Sequence, residues 1–141
     1  MLGKIFVVSK DTNLRDIIKK QVLISFPTAD FGSCKTTKEL SEHSLEFGDV
    51  IIYNSESNGP IPQTLINSTG GYWLNISEKI DEATQMRSLV DGFSGIISIQ
   101  DNIDKYPRVI RCMQSGEIWF SRQIIAFAIR QYQTQSITSE E

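Results

Sequence analysis

Four consecutive residues, Trp119-Phe120-Ser121-Arg122, place a hydroxyl, a guanidinium and two aromatic rings side by side. A hydroxyl both donates and accepts hydrogen bonds, a guanidinium presents a planar fork of donors, and the rings give stacking surface. Guanine bases and phosphates suit that set. The segment begins at Gly116-Glu117-Ile118 and opens an apolar helical pattern that runs to about Tyr132. Along it Ile125, Ile129 and Tyr132 form one stripe, while Ile124, Phe127, Ala128 and Gln131 form its neighbour. This apolar surface is wider than one helix-to-domain contact needs, so one stripe is expected to dock on the domain and the other on a partner, giving a homodimer. A plainer reading stands beside the ligand site: a tryptophan ahead of a helix is more often packing than platform.

The remaining chemically capable residues offer less. Cys34 and Cys112 lack metal-ligand spacing and lie among apolar or strand-like residues, as buried thiols do. His43, the one histidine, lies between Glu42 and Ser44 and reads as a solvated surface residue. No catalytic residue and no metal site are expected. The net charge of −3 argues against the segment wrapping nucleic acid, because neutralising phosphates takes a surplus of lysine and arginine on one face. No run approaches the roughly 20 apolar residues of a bilayer span, and Met1-Leu2-Gly3-Lys4 leads straight into Ile5-Phe6-Val7-Val8 rather than into a signal-peptide pattern. A cytoplasmic location without membrane attachment is expected.

At 141 residues and 40% hydrophobic content, the chain is long and apolar enough for one domain with a real core. Lys4 to Val8 reads as a strand, and Asn13 to Phe26 as a helix with Leu14, Ile17, Ile18, Val22 and Leu23 on one face before Pro27. Phe31 to Cys34 is a second strand, Thr37 to His43 a short helix, and Asp49 to Tyr53 an apolar third strand. Asn54 to Pro62 is a polar loop, Gln63 to Ser68 a brief helix, and Tyr72 to Asn75 a fourth strand after Gly70-Gly71. Ser77 caps a helix from about Glu78 to Val90, Gly95 to Ile99 is a fifth strand, and Asn102 to Gln114 a helix in which Pro107 marks a start or a kink.

Strands that alternate with helices imply a parallel sheet covered on both faces, in the flavodoxin-like, doubly wound arrangement. In such folds the functional crevice lies beyond the carboxyl ends of the strands. The residues there are Ser9-Lys10-Asp11, Asn54, Asn75 and Ile99-Gln100.

With Val7-Val8-Ser9-Lys10-Asp11 followed by Leu14 and Arg15, with Asp49 to Asn54, with Gly95 to Ile99 and with Gly116 to Arg122, nearly the whole chain resembles response-regulator receiver domains at the head of LuxR-class transcription factors. A working receiver carries a pair of acids after strand one, a phosphorylatable aspartate after strand three, Ser or Thr after strand four and Lys after strand five. Here Ser9 and Lys10, Asn54, Asn75 and Ile99 stand in those places, so every expected group is replaced. Mg²⁺ wants hard anionic oxygens, which Ser9 and Lys10 do not supply, and an amide at Asn54 cannot form an acyl phosphate. The resemblance thus implies a degenerate pocket without Mg²⁺ or phosphotransfer, with Lys10 supplying positive charge in place of the metal.

An extra helix after the usual five resembles a LuxR-class subgroup that controls biofilm matrix genes. Members that bind cyclic di-GMP carry Trp, then Phe, Leu or Met, then Thr or Ser, then Arg, which Trp119-Phe120-Ser121-Arg122 satisfies at all four positions. Carried across, Arg122 would stack on guanine and meet phosphate, Ser121 would donate to a phosphate oxygen, Trp119 would line the pocket and Phe120 would face the core. Asn75 after strand four is also found in this subgroup. Many LuxR-class linkers, however, contain a Gly-Glu-x-Trp segment that only packs the last helix, which implies dimerisation without a nucleotide. Ile137 to Glu141 resembles the opening of a LuxR-class helix-turn-helix domain, with Glu140 in place of Arg. The expected organisation is therefore a receiver-like domain over 1–115, a dimerisation or ligand helix over 116–134, and a linker over 135–141 towards a DNA-binding domain.

Overall fold

The computed structural model describes residues 3–68 and 70–140. Five strands, β1 (Ile5–Val8), β2 (Phe31–Cys34), β3 (Val50–Asn54), β4 (Tyr72–Ser77) and β5 (Gly95–Ser98), form one sheet in the order β2-β1-β3-β4-β5. Every neighbouring pair is parallel, as the flavodoxin-like arrangement requires. All residues of β1 and β3 are buried, which is why these segments read as unbroken apolar runs instead of alternating ones.

Seven helices are present among the described residues: α1 (Thr12–Ser25), α2 (Thr37–Leu40), α3 (Ser55–Asn58), α4 (Gln63–Ser68), α5 (Glu82–Asp91), α6 (Lys105–Gln114) and α7 (Arg122–Glu140). Successive β1 residues point to opposite sides of the sheet and feed two cores. Ile5 and Val7 join Ile18 and Val22 of α1 and Val109, Ile110 and Met113 of α6. Phe6 and Val8 join Tyr53, Ile61, Ile66, Trp73 and Phe93 on the other side. Ile17, assigned to the apolar face of α1, turns half outward instead.

Several boundaries move for identifiable reasons. β4 continues past Asn75 to Ser77: Asn75 Nδ2 donates to Ser88 Oγ while its buried Oδ1 has no partner among the described residues, and Ser77 Oγ donates to Glu56. Ser77 therefore caps nothing, and α5 starts at Glu82 with Asp81 accepting from the Thr84 amide at 2.8 Å. Hydrogen bonding from the Thr84 side chain, and then from its amide, holds the Asp81 carboxyl below its ordinary pKa. α3 arises inside the expected loop because Asn54 caps it. α2 stops at Leu40, short of His43, whose exposed ring stands 5.1 Å from that of Phe6. Pro107 lies in the first turn of α6, where its missing N–H costs nothing, so it marks a start. α7 runs on through residue 140 rather than ending near Tyr132, so residues 135–140 are helical; Glu141 lies outside the described residues. No helix of the described residues is long and apolar enough to cross a membrane.

Both thiols are unreactive by environment. Burial, with Glu39 second, raises the pKa of Cys34, and burial, then the hydrogen bond from Cys112 Sγ to Glu117 at 3.6 Å, raises that of Cys112. A raised thiol pKa means less thiolate at neutral pH. Iodoacetamide at pH 7.5 should thus modify neither residue quickly in the native protein and both on unfolding, and rapid native labelling at Cys34 would contradict this packing.

Candidate functional site

At the carboxyl edge of the sheet, Ser9 follows β1 and is fully buried, and Asn54 ends β3 at 1% exposure. Asn54 Nδ2 donates to Ser9 Oγ at 3.0 Å, while Asn54 Oδ1 accepts from the Glu56 and Ser57 amides at 3.1 and 3.3 Å. Both ends of this amide are consumed: one holds Ser9, the other caps α3. Ser9 Oγ also accepts from the Asp11 amide at 3.0 Å, and the Arg15 guanidinium donates to the Ser9 carbonyl. The Lys10 amide donates to Ser57 Oγ and Asn58 Oδ1 at 3.2 and 3.0 Å, but its side chain is exposed, with no polar partner among the described residues. The lysine thus brings no charge into the pocket. Ile99 follows β5 and is partly exposed.

The donors gathered here are neutral hydroxyl and amide oxygens, already engaged, which do not fit a magnesium ion. No group of three or more His, Cys, Asp or Glu side chains able to hold a metal occurs among the described residues. Asn75 does not stand after β4 but inside it, paired in register with Tyr53 and Ile96. Its Nδ2 donates to Ser88 Oγ of α5 at 3.1 Å. The residue at the strand end is Ser77, whose hydroxyl donates to Glu56 Oε1 at 3.1 Å. Sequence periodicity gave no sign of Glu56, since an acid in a polar loop looks like any solvated residue.

The second expected cluster sits at the base of α7. The Trp119 backbone adds a bridge beyond β5: its amide donates to the Ser94 carbonyl at 2.8 Å, and its carbonyl accepts from the Ile96 amide at 3.1 Å. The Trp119 side chain packs, partly buried, on the core beside α1 and α6, and Phe120 packs on the opposite core, as expected. Ser121 Oγ accepts from the Ile124 amide at 3.2 Å and so caps α7, leaving its O–H free to donate. The Ser121 amide donates to Gln85 Oε1 of α5 at 3.0 Å, a link that sequence patterning did not reveal. Trp119, Phe120 and Ser121 line a cavity of about 310 Å³ with Gln85, Ile96 and Lys105. Arg122, the first residue of α7, is exposed beside it and makes no hydrogen bond or ion pair among the described residues. It does not itself line that cavity.

α7 rests on the body through α5, with Ile124 buried at 3% exposure. Ile125 is half-buried, whereas Ile129 and Tyr132 are 53% and 72% exposed, and Phe127 is also largely exposed. Between α5 and α7 runs a groove of about 500 Å³ whose walls include Ala83, Met86, Ile124 and Phe127, with Glu82 and Arg130 as its charged residues.

No family model and no curated protein matches the chain. Solved structures do. The isolated receiver domain of RcsB from Salmonella enterica serovar Typhimurium, solved with phosphomimetic BeF3⁻, superposes with a TM-score of 0.68 over 89% of this chain and 98% of that one, at 13% identity. The fold is that of a receiver domain. The non-phosphorylated receiver domain of RcsB from Escherichia coli gives 0.67 over 86% of this chain and 100% of that chain, at 12% identity. The response regulator DrrB of Thermotoga maritima gives 0.69 at 12% identity, over 84% of this chain and 55% of that one. A longer RcsB chain from Salmonella typhimurium is covered over 65% of its length, at 15% identity and a TM-score of 0.69. At such identities the likeness is one of fold.

Proposed function

We propose that the chain is a non-enzymatic, phosphotransfer-independent regulatory receiver domain of a cytoplasmic LuxR-type transcription regulator that self-associates through α7. The observation that carries this reading is the exposed stripe of α7: Ile129 and Tyr132 are left uncovered on a helix anchored at its base by Ile124 and Ser121. A helix with one apolar stripe docked and another exposed gains by pairing with a second copy. The fate of Asn54 supports the phosphate-independent part, because its amide is committed to Ser9 and to the cap of α3. In a regulator that carries a helix-turn-helix domain after this one, pairing through α7 would set the spacing of two recognition helices on DNA. Sedimentation equilibrium of the domain should show dimers that Ile129→Glu with Tyr132→Glu converts to folded monomers. A wild-type domain that stays monomeric at high micromolar concentration defeats the proposal.

Cyclic di-GMP is the ligand we assign to the base of α7, where an unpaired Arg122 adjoins a cavity bordered by Trp119 and Ser121. Titration calorimetry should detect saturable binding, weakened more than tenfold in Arg122→Ala, since a guanidinium contact to phosphate and a stacked base is charge-assisted. A second reading, dimerisation without any nucleotide, is favoured by the structural duties Trp119 and Ser121 already have as sheet extension and helix cap. No heat of binding from a folded domain selects it.

A further inference from the structure

Beyond the Asn54 pocket and the base of α7, one side chain joins two turns that leave the sheet from adjacent strands. Glu56, in α3, places Oε1 so that it accepts from Ser77 Oγ at 3.1 Å and from the Glu78 amide at 2.7 Å. Ser55 Oγ adds a third bond, donating to the Ile76 carbonyl at 3.0 Å. Ser77 is 6% exposed, so its hydroxyl is a fixed donor and not a surface group. A buried hydroxyl and a backbone N–H converging on one oxygen form a small cradle for a carboxylate, and charge-assisted bonds of this kind are short and comparatively strong.

The turn that receives Glu56 leads directly into α5. Asp81 caps that helix, and Gln85, one turn further, holds the Ser121 amide at the base of α7. We propose that the end of β4 is a carboxylate-binding site, filled in cis by Glu56, and that this contact fixes the β4–α5 turn in the single setting that α5 transmits to α7. The proposal rests on the reading of the domain as phosphotransfer-independent: Glu56, itself solvent-exposed, brings a carboxylate of this chain to the sheet edge, and no donor has to deliver one. Small carboxylates such as formate are the class of ligand that would fill the same cradle once the side chain is removed.

Amide hydrogen exchange followed by NMR on the 141-residue protein tests this. In Glu56→Ala the Glu78 amide should exchange about tenfold faster. The Ser121 amide resonance should move, and sodium formate should restore both where sodium chloride at equal ionic strength does not. Glu56→Gln, which keeps a carbonyl acceptor without the charge, should fall between. Unchanged exchange at Glu78, or equal restoration by chloride, overturns the site. Faster exchange at Glu78 with a stationary Ser121 resonance overturns the transmission to α7. Acetyl phosphate labelling of the wild type would remove the phosphotransfer-independent reading while leaving the formate result to stand or fall by itself.

Discussion

Replacing Trp73 with alanine should lower the stability of the domain by about 3–5 kcal/mol, the range for truncating a large buried aromatic. Trp73 lies in β4 at 1% exposure, among the largest fully buried side chains. It meets Tyr53 edge-on with ring centroids 6.3 Å apart and shares its core with Ile51, Ile66, Phe93 and the partly buried Phe120. Its neighbours sit on a rigid strand and on helices tied down elsewhere, so they cannot collapse fully into the space left behind. Domains of this size hold about 5–15 kcal/mol in total, so the variant gives up a large share of its stability. Urea titration should show a lower midpoint with an unchanged slope. A loss under about 1 kcal/mol would mean that this side of the sheet repacks freely.

Gly95→Ala is expected to act where the sheet hands over to the final helix. A Cβ at Gly95 would come within 2.8 Å of Trp119 Cβ and 3.2 Å of the Trp119 carbonyl oxygen, the acceptor of the Ile96 amide. Overpacking of this kind costs about 1–3 kcal/mol. Leu74 closes the remaining side at 3.3 Å, so the strain is relieved most easily by moving Trp119 outward. The expected result is lost protection of the Ile96 and Ser121 amides together with weaker self-association. An alanine variant with wild-type stability and an unchanged dimer would show that α7 is positioned without Trp119.

Much of this fold was visible in the chain because apolar runs were bounded by residues with strong local preferences. β2 over Phe31–Cys34 and α4 over Gln63–Ser68 matched their expected bounds, the first after Pro27, the second between Pro62 and Gly70-Gly71. What stayed hidden were polar residues whose partners lie far along the chain. Asn75 looked like the end of a strand and Ser77 like a helix cap, yet Ser88 holds the Asn75 amide nitrogen, Glu56 holds the Ser77 hydroxyl, and β4 runs through both. The residues at the strand ends were legible at Ser9, Lys10, Asn54 and Ile99, but not at β4, where the hydroxyl of Ser77 stands instead of the expected Asn75. Their wiring was not legible: that Asn54 would cap α3 while Lys10 pointed away depends on a helix that the polar run Ser55–Asn58 did not announce. At the base of α7, the aromatic and cationic residues stood out by type, but Gln85, which holds the Ser121 amide, carried no signal in its spacing.

Ile124, the one buried residue over 122–134 of α7, has a mechanical consequence. From Ile124 to residue 140 the helix extends roughly 24 Å at 1.5 Å per residue, and it packs against α5. A tilt of about 10° about Ile124 would sweep the far end through about 4 Å, close to the rise of one base pair. In the self-associating regulator proposed above, a displacement of a few tenths of an ångström near Gln85 and Ser121 would be magnified along α7 into one that a double helix could register.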